Sequence, residues 1–370
     1  MKYPIIKNTQ GKRVWFVTDT HFGIRNSSNE WQSIMRDYFF NWFFPLVRKN
    51  YKKGDILIHC GDFYDSRQSI NLKVLNLGVE VAEEMANIFK DGVYFIVGNH
   101  DIFGKTSNSI NSLKSIKWIP GITILEEPHT LEISDKKFFM MPWRKDHKEE
   151  SETLNNTSPH DYMCCHADIR GLKFNRYVKV ETGVEIQNFN KFNKVYSGHI
   201  HYAQESGNIR MLGSPYELTR SDMGNPKGIV LLNVEDGKET FFVNDFSPKF
   251  KKYFFDQILE KTIEELEEEF KNNFIDIMID PIMSLKAPLS ILTDSIQTQR
   301  SINFHPYDPN QANNLTQQMM DTEGRVFNVM DFINEYVKSM EMDDSTKSKI
   351  IKSLQGLYNL VTDQEKISPR

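Results

Sequence analysis

Up to about Val243 the chain alternates short apolar runs with polar turns. The runs include Val14–Thr18, Ile56–Cys60, Val93–Val97, Tyr162–Cys165, Lys194–Ser197 and Ile229–Leu232. Each is short, rich in β-branched or aromatic side chains and bounded by turn residues, which predicts strands rather than helix fragments. Between the early runs the period changes. In Glu30–Lys49 the apolar positions are Trp31, Ile34, Met35, Tyr38, Phe39, Trp42, Phe43, Leu46 and Val47. That spacing is one broad face of an amphipathic helix. Leu72, Leu75, Val79, Ala82, Met85, Ala86 and Phe89 predict a second such face, and both stripes read as core packing. Strand and helix alternating at first, then mostly strands, predict an α/β fold of layered sheets flanked by helices.

After Phe246-Ser247-Pro248 the pattern changes again. Lys252–Leu259 and Phe274–Asp280 read as strands around an acidic helix at Thr262–Asn273. A helix at about 284–296 and a strand at Ser301–His305 complete a small α/β module. Asn310–Gly324, rich in Asn, Gln, Thr and Met, reads as a linker. Val329, Phe332, Ile333, Tyr336, Val337 and Met340 define one further helix. Ile350, Ile351, Leu354, Leu357, Tyr358 and Val361 define another, with caps at Asp343, Asp344 and Ser345. The expected layout is a catalytic domain at 1–247, a small α/β domain at 248–308, a linker at 309–325 and a helical segment at 326–370. Two roles stay open for that last segment: docking a partner, or closing the small domain's own core.

Composition narrows the class. At 370 residues, 39% hydrophobic and 26% charged, the chain has the make-up of a globular protein. No run approaches the roughly 18 apolar residues of a membrane span. Met1–Gln10 carries no export signal, so a cytoplasmic location is expected. Cys60, Cys164 and Cys165 sit in strand-like runs and read as reduced core thiols, the adjacent pair pointing to opposite faces. The formal net charge of −5 is not that of a DNA-coating protein. Two bound cations would nevertheless turn an acidic pocket positive, so charge neither supports nor excludes a nucleic-acid substrate.

The candidate chemistry lies in five ordered motifs, each following a predicted strand: Asp19-Thr20-His21, Gly61-Asp62, Gly98-Asn99-His100-Asp101, His166, and Gly198-His199-Ile200-His201. Strand-end loops are where α/β folds collect their sites. Asp19 and His21 are two apart, as are His199 and His201, so each pair is expected to face one way on extended backbone. The glycines at 61, 98 and 198 are expected to allow tight turns. Carboxylate, imidazole and amide oxygen with no thiolate suit Mn, Fe, Zn or a similar ion rather than a structural zinc site. A carboxylate such as Asp62 can bridge two cations that bind a phosphoryl group and activate water. The remaining histidines (His59, His129, His147, His160, His305) read as structural.

Over roughly residues 12–245 these motifs resemble those of the calcineurin-like metallophosphoesterase superfamily. The resemblance implies a two-sheet sandwich and two divalent cations, taken as Mn2+. It implies Asp19, His21, Asp62 and His201 around one cation, and Asp62, Asn99, His166 and His199 around the other. His100 would be the catalytic histidine and Asp101 its orienting partner. Within the superfamily the chain is similar to SbcD-like double-strand-break repair nucleases, and most to their tailed-phage branch. That likeness rests on His21-Phe22-Gly23, on Cys165-His166-Ala167-Asp168-Ile169-Arg170-Gly171, on Gly213-Ser214-Pro215 and on Lys227-Gly228. It implies a DNA exonuclease or endonuclease subunit, an α/β capping domain, helices that bind an SbcC-type coiled-coil ATPase, and a homodimer.

Rival readings differ at particular residues. A protein phosphatase would show Arg-Gly after the second motif and Glu after Gly-Asn-His; this chain has Phe63-Tyr64-Asp65-Ser66 and Asp101. A non-catalytic scaffold would have lost ligands, and none is missing. A small-substrate or cyclic-nucleotide phosphodiesterase fits the motifs and leaves the C-terminal parts unexplained. Arg170, Lys173, Arg176 and Lys179 form a basic stretch that either contacts DNA phosphates or is a solvated loop.

Overall fold

The computed structural model describes residues 3–65, 68–105, 107–279, 300–306, 343 and 346–353. Met1–Tyr307 belongs to one compact unit and Asp308–Arg370 to a second. The first unit is built on two stacked sheets. One has six strands in the order β13 (Glu239–Val243), β12 (Gly228–Asn233), β2 (Arg13–Val17), β3 (Asp55–His59), β4 (Val93–Ile96), β5 (Ile122–Leu125). The other has seven: β1 (Ile5–Asn8), β6 (His129–Ile133), β7 (Lys136–Met141), β8 (Tyr162–His166), β9 (Lys194–Gly198), β11 (Ile209–Met211), β10 (Gln204–Ser206). β2 to β5 run parallel, as do β7 to β9, so in each sheet those strands end at a common edge.

Each central strand is buried on both faces. Val14, Phe16, Ile56 and Ile58 meet Phe138, Met140, Cys164 and Tyr196 between the sheets. Trp15, Val17, Leu57 and Phe95 face the helices on one side, while Phe139, Met141, Met163 and Cys165 pack outward on the other. Two-sided burial is why these strands read as unbroken apolar runs instead of alternating ones. Cys164 and Cys165 do take opposite faces, and all three thiols are free and buried.

Three local expectations need correction. The helical stretch after β2 is not uniform: Asn29–Asp37 and Phe44–Asn50 are α-helical, with a π-helical turn at Tyr38–Phe43 between them. The wider turn inserts a residue and rotates the second α-helical piece relative to the first. Phe43, Phe44 and Val47 are therefore fully buried, whereas Trp42 and Leu46 are only partly so. In the helix Leu72–Ile88 the buried face is Val74, Leu77, Val81, Ala82 and Met85, and Leu72 is 74% exposed. The expected face holds at Ala82, Met85, Ala86 and Phe89, all buried, and fails in the first turns, where Val74, Leu77 and Val81 turn inward in place of Leu72, Leu75 and Val79. There Gly78 lies against Tyr64, and a Cβ on it would lie 2.7 Å from the ring. The third correction is at 252–259. The strand β14 is Phe250–Phe254, and Phe255–Leu259 is a helical turn whose Gln257 carboxamide accepts from the Phe254 N–H.

β14, β15 (Phe274–Ile279) and β16 (Ile302–Pro306) form a separate parallel sheet with its own apolar core around Phe255, Leu266 and Phe270. It adheres to the main body through Trp31 stacked on Phe274 (centroids 5.6 Å, 3° between planes) and through the Arg220–Asp276 ion pair. The expected helix at 284–296, the linker and the first C-terminal helix lie outside the described residues. Residues 346–353 are helical, which includes Ile350 and Ile351 of the expected second one. No helix among the described residues is long and apolar enough to cross a membrane.

Candidate metal centre

All five motifs emerge where β2, β3, β4, β8 and β9 end. Backbone bonds lace their loops together: Asp19 N–H to Gly61 O (3.0 Å) and His21 N–H to Asp62 O (3.1 Å). The Asp-x-His pair is not presented by extended alternation. Asp19 (φ 50°), His21 (φ 48°), Asp62 (φ 56°) and His199 (φ 83°) all take the left-handed region. Non-glycine residues seldom do so, and the strain is held by the surrounding bonds. The glycines differ from expectation too. Gly61 (φ +96°) makes a turn, whereas Gly98 and Gly198 are required by close approach. A Cβ on Gly98 would strike Asp62, and one on Gly198 would strike Thr18 and the Cys60 carbonyl.

Two clusters result. Asp19, His21 and His201 form one, and Asp62, His166 and His199 the other. His21 Nε2 lies 2.9 Å from His201 Nε2. His166 Nε2 lies 2.9 Å from Asn99 Oδ1, 3.2 Å from His199 Nδ1 and 3.2 Å from Asp62 Oδ2. Asp62 Oδ2 is also 3.6 Å from His21 Nε2, so its carboxylate stands between the clusters. The opposite nitrogen of three of these imidazoles is already engaged. His166 Nδ1 donates to the Cys60 carbonyl (2.8 Å), His199 Nε2 to Asp168 (2.8 Å) and His21 Nδ1 to Asp65 (3.0 Å). The nitrogens turned inward are thereby lone pairs, facing one another and carboxylate oxygens. That donor set fits divalent cations, with outer partners fixing each tautomer.

Without a cation the same atoms demand protons. His166, against the penalty of complete burial, is raised to about 10 by Asp62, Asp19 and the Cys60 carbonyl. Of the facing pair, burial and then its cationic neighbours His21 and Lys227 hold His201 well below its ordinary value. His21 is buried too, and is raised by Asp65, Asp62 and Asp19. A bound cation must displace the His166 proton. The folded value lies above the ordinary 6.5, so that proton is fully held below 6.5 and released as pH rises through about 10. Metal affinity at the Asp62 cluster should therefore rise about tenfold per pH unit between pH 7 and 9. Calorimetry in buffers of different ionisation enthalpy should show about one proton released per ion.

Two supporting carboxylates, Asp65 and Asp168, are ones the sequence does not single out as site residues. Their signal is proximity: one lies three residues after Asp62, the other two after His166. Asp65 also lies 3.2 Å from His100 Nδ1, so the Asp65, His21 and His100 grouping is explained by one carboxylate accepting from two rings. Asp168→Ala should weaken metal binding at the second cluster by about 10- to 100-fold. Unchanged affinity in a metal titration would mean that His199 is held by something else. Two further residues support the ligand loops. Lys227, buried and paired with Asp222, donates to the His201 carbonyl (2.6 Å), and Tyr216 donates to the Thr20 carbonyl (2.6 Å) between Asp19 and His21.

The other predicted site residues are placed around these clusters. His100 is half-buried at the rim, and its backbone N–H donates to Asp62 Oδ1 (2.7 Å). Asp101 is buried and accepts from the N–H groups of Asp62, Gly98 and Tyr64. Its carboxyl is pushed up to about 6 by burial and by Asp62. Arg170, Lys173, Arg176 and Lys179 are all exposed on the loop after His166. Arg170 pairs with Glu185 (2.7 Å) and Arg176 donates to the Met223 carbonyl (3.2 Å).

Comparison with known proteins adds to this. The calcineurin-like phosphoesterase family matches residues 12–203, more than half of the chain and all five motifs. Exonuclease subunit 1 of Enterobacteria phage T4 is 26% identical over 234 residues, covering 61% of this chain. The aligned stretch spans 66% of that phage protein, slightly less than two thirds. Among solved structures, a novel archaeal phosphodiesterase superposes with a TM-score of 0.33 at 14% identity, covering 62% of this chain and 99% of its own. A protein of unknown function from Aquifex aeolicus gives 0.26 at 19% identity, covering 44% and 81%.

Proposed function

The chain belongs to the calcineurin-like phosphoesterase family, and on that premise we propose that it hydrolyses phosphodiesters with two divalent cations, Mn2+ being our choice. Asp19, His21, Asp62 and His201 would hold one, and Asp62, Asn99, His166 and His199 the other. The observation that carries this is the convergence of lone-pair atoms on either side of the Asp62 carboxylate. Bound there, the cations supply Lewis acidity and an activated water. The chain's own contribution is to hold those ligands aimed inward through their outer partners, and to place His100 at the rim. With His100 Nδ1 turned to Asp65, Nε2 is the nitrogen we assign to the phosphoryl or leaving oxygen. Asp101 fixes the backbone from which His100 projects.

Phosphodiester hydrolysis at large is what this geometry supports best, and a small or cyclic-nucleotide diester needs nothing beyond the metal site. One observation favours a narrower reading, the likeness to a phage exonuclease subunit. On that reading the chain is the nuclease subunit of a recombination and double-strand-break repair complex. It would act on DNA as a homodimer, with Arg170, Lys173, Arg176 and Lys179 on phosphates. Residues 248–308 would cap the site and 326–370 would dock an SbcC-type ATPase.

Linear duplex DNA, a 3′,5′-cyclic nucleotide and bis(p-nitrophenyl) phosphate, each with Mn2+ and with or without the ATPase, separate these readings. Degradation of DNA supports the nuclease. Brisk turnover of the small diesters with intact DNA under both conditions would leave the small-substrate phosphodiesterase standing. Absence of all three activities would sink the diesterase proposal.

A further inference from the structure

The loop after His166 carries a feature that phosphate contacts alone do not explain. Residues 169–180 read Ile-Arg-Gly-Leu-Lys-Phe-Asn-Arg-Tyr-Val-Lys-Val, four cations and no anion in a chain of formal charge −5. They fold as a small hairpin. Lys173 pairs antiparallel with Lys179, Val180 N–H donates to the Leu172 carbonyl (2.8 Å), and Phe174 N–H donates to the Val178 carbonyl (2.8 Å). Leu172 and Val180 are buried at the root. At the tip the Asn175 side chain accepts from the N–H groups of Tyr177 and Val178. Three apolar side chains there face solvent: Phe174 at 53%, Tyr177 at 70% and Val178 at 45% exposure.

The hairpin is tied to the metal centre at several points. Its root is Asp168, which holds His199, and Val184 N–H donates to the Asp168 carbonyl (2.9 Å). Gln204, three residues after His201, accepts from Lys173 N–H and donates to the Lys173 carbonyl. Phe174 is six positions after Asp168, so its backbone lies within ~20 Å of the residue that holds His199 even at full extension. Exposed aromatic rings among lysines and arginines, with no acidic side chain between them, match a polyanion whose repeating units also carry flat π-faces. That is an unpaired nucleic-acid strand.

We propose that Phe174 and Tyr177 form a stacking platform for unpaired bases of a nucleic-acid substrate, with Lys173, Arg176 and Lys179 on the adjoining phosphates. This rests on the DNA reading above and narrows it: the strand entering the metal centre is single at this point. The rings hold bases beyond the scissile linkage and touch no reacting atom.

The test uses the full chain with Mn2+, an oligothymidylate carrying a single 2-aminopurine, and bis(p-nitrophenyl) phosphate, which carries no nucleotide. For each aromatic removed (Phe174→Ala, Tyr177→Ala), the ratio of KM for the oligonucleotide to KM for the aryl diester should rise about tenfold, with kcat little changed. Phe174→Trp and Tyr177→Phe should restore it, while Phe174→Leu, apolar but without a π-face, should not. With metal withheld by chelator, binding should quench 2-aminopurine fluorescence in the unmodified protein and not in the double alanine variant. Oligonucleotide hydrolysis with KM and quenching unmoved by both variants would overturn the stacking platform alone. No oligonucleotide hydrolysis beside brisk aryl turnover would overturn the DNA reading, and this with it.

Discussion

Replacing Asp62 with Asn should lower phosphodiester turnover by about a thousandfold or more and reduce bound metal from two ions to one or none. Asp62 is the carboxylate between the clusters, 3.2 Å from His166 and 3.6 Å from His21. An amide of the same shape removes the shared negative charge and turns an N–H2 group toward one set of acceptors. The substitution should also destabilise the metal-free protein at neutral pH. Although burial opposes ionisation, the charges of His166 and then His21 hold the Asp62 carboxyl well below the usual range. A depressed carboxyl contributes stability above its unfolded value near 3.8, and that contribution is lost as pH falls through the folded one. The variant's deficit in melting temperature should therefore be present at pH 7 and shrink toward acid pH. Metal analysis by emission spectroscopy is the first readout. Two ions retained with full turnover would remove Asp62 from its bridging place.

His100→Ala should have the opposite signature: turnover falls about 10²- to 10⁴-fold while both ions stay bound. The side chain sits half-buried at the rim with Nδ1 against Asp65, and the backbone N–H that it gives to the central carboxylate is one that alanine keeps. Substrate KM should change little if the ring acts on charge that develops in the transition state. Loss of metal together with turnover would instead make His100 part of the ligand scaffold.

These two variants separate two kinds of legibility. The candidate ligands were readable because metal chemistry restricts residue types severely, and because strand ends bring Asp19, Asp62, Asn99, His166 and His199 to one edge. The way they are presented was not readable. Asp19 and His21 converge through left-handed backbone, a state that Asp or His adopts only when neighbours over-determine it. Gly98 and Gly198 looked like turn residues and prove to be contact points, since nothing in one strand announces how closely another will pass. Asp65 and Asp168 were in view in the string, but their role depends on which ring nitrogen lies beside them.

The same division runs through the fold. The chain on its own determined an α/β sandwich, the strands that carry the site and the chemistry at their ends, because two-sided burial writes apolar runs and metal coordination writes Asp and His. Tertiary structure decided what periodicity leaves degenerate. It chose which apolar positions in the first turns of Leu72–Ile88 point inward, where a glycine lies against Tyr64. It placed the π-turn at Tyr38–Phe43 that re-aims the aromatics beyond it. It brought the loops of two different sheets within about 3 Å of one another, so that His21 faces His201 across 180 positions of chain and shares the Asp62 carboxylate with His166. Such choices depend on volume and distance between elements, quantities that no single segment of sequence contains.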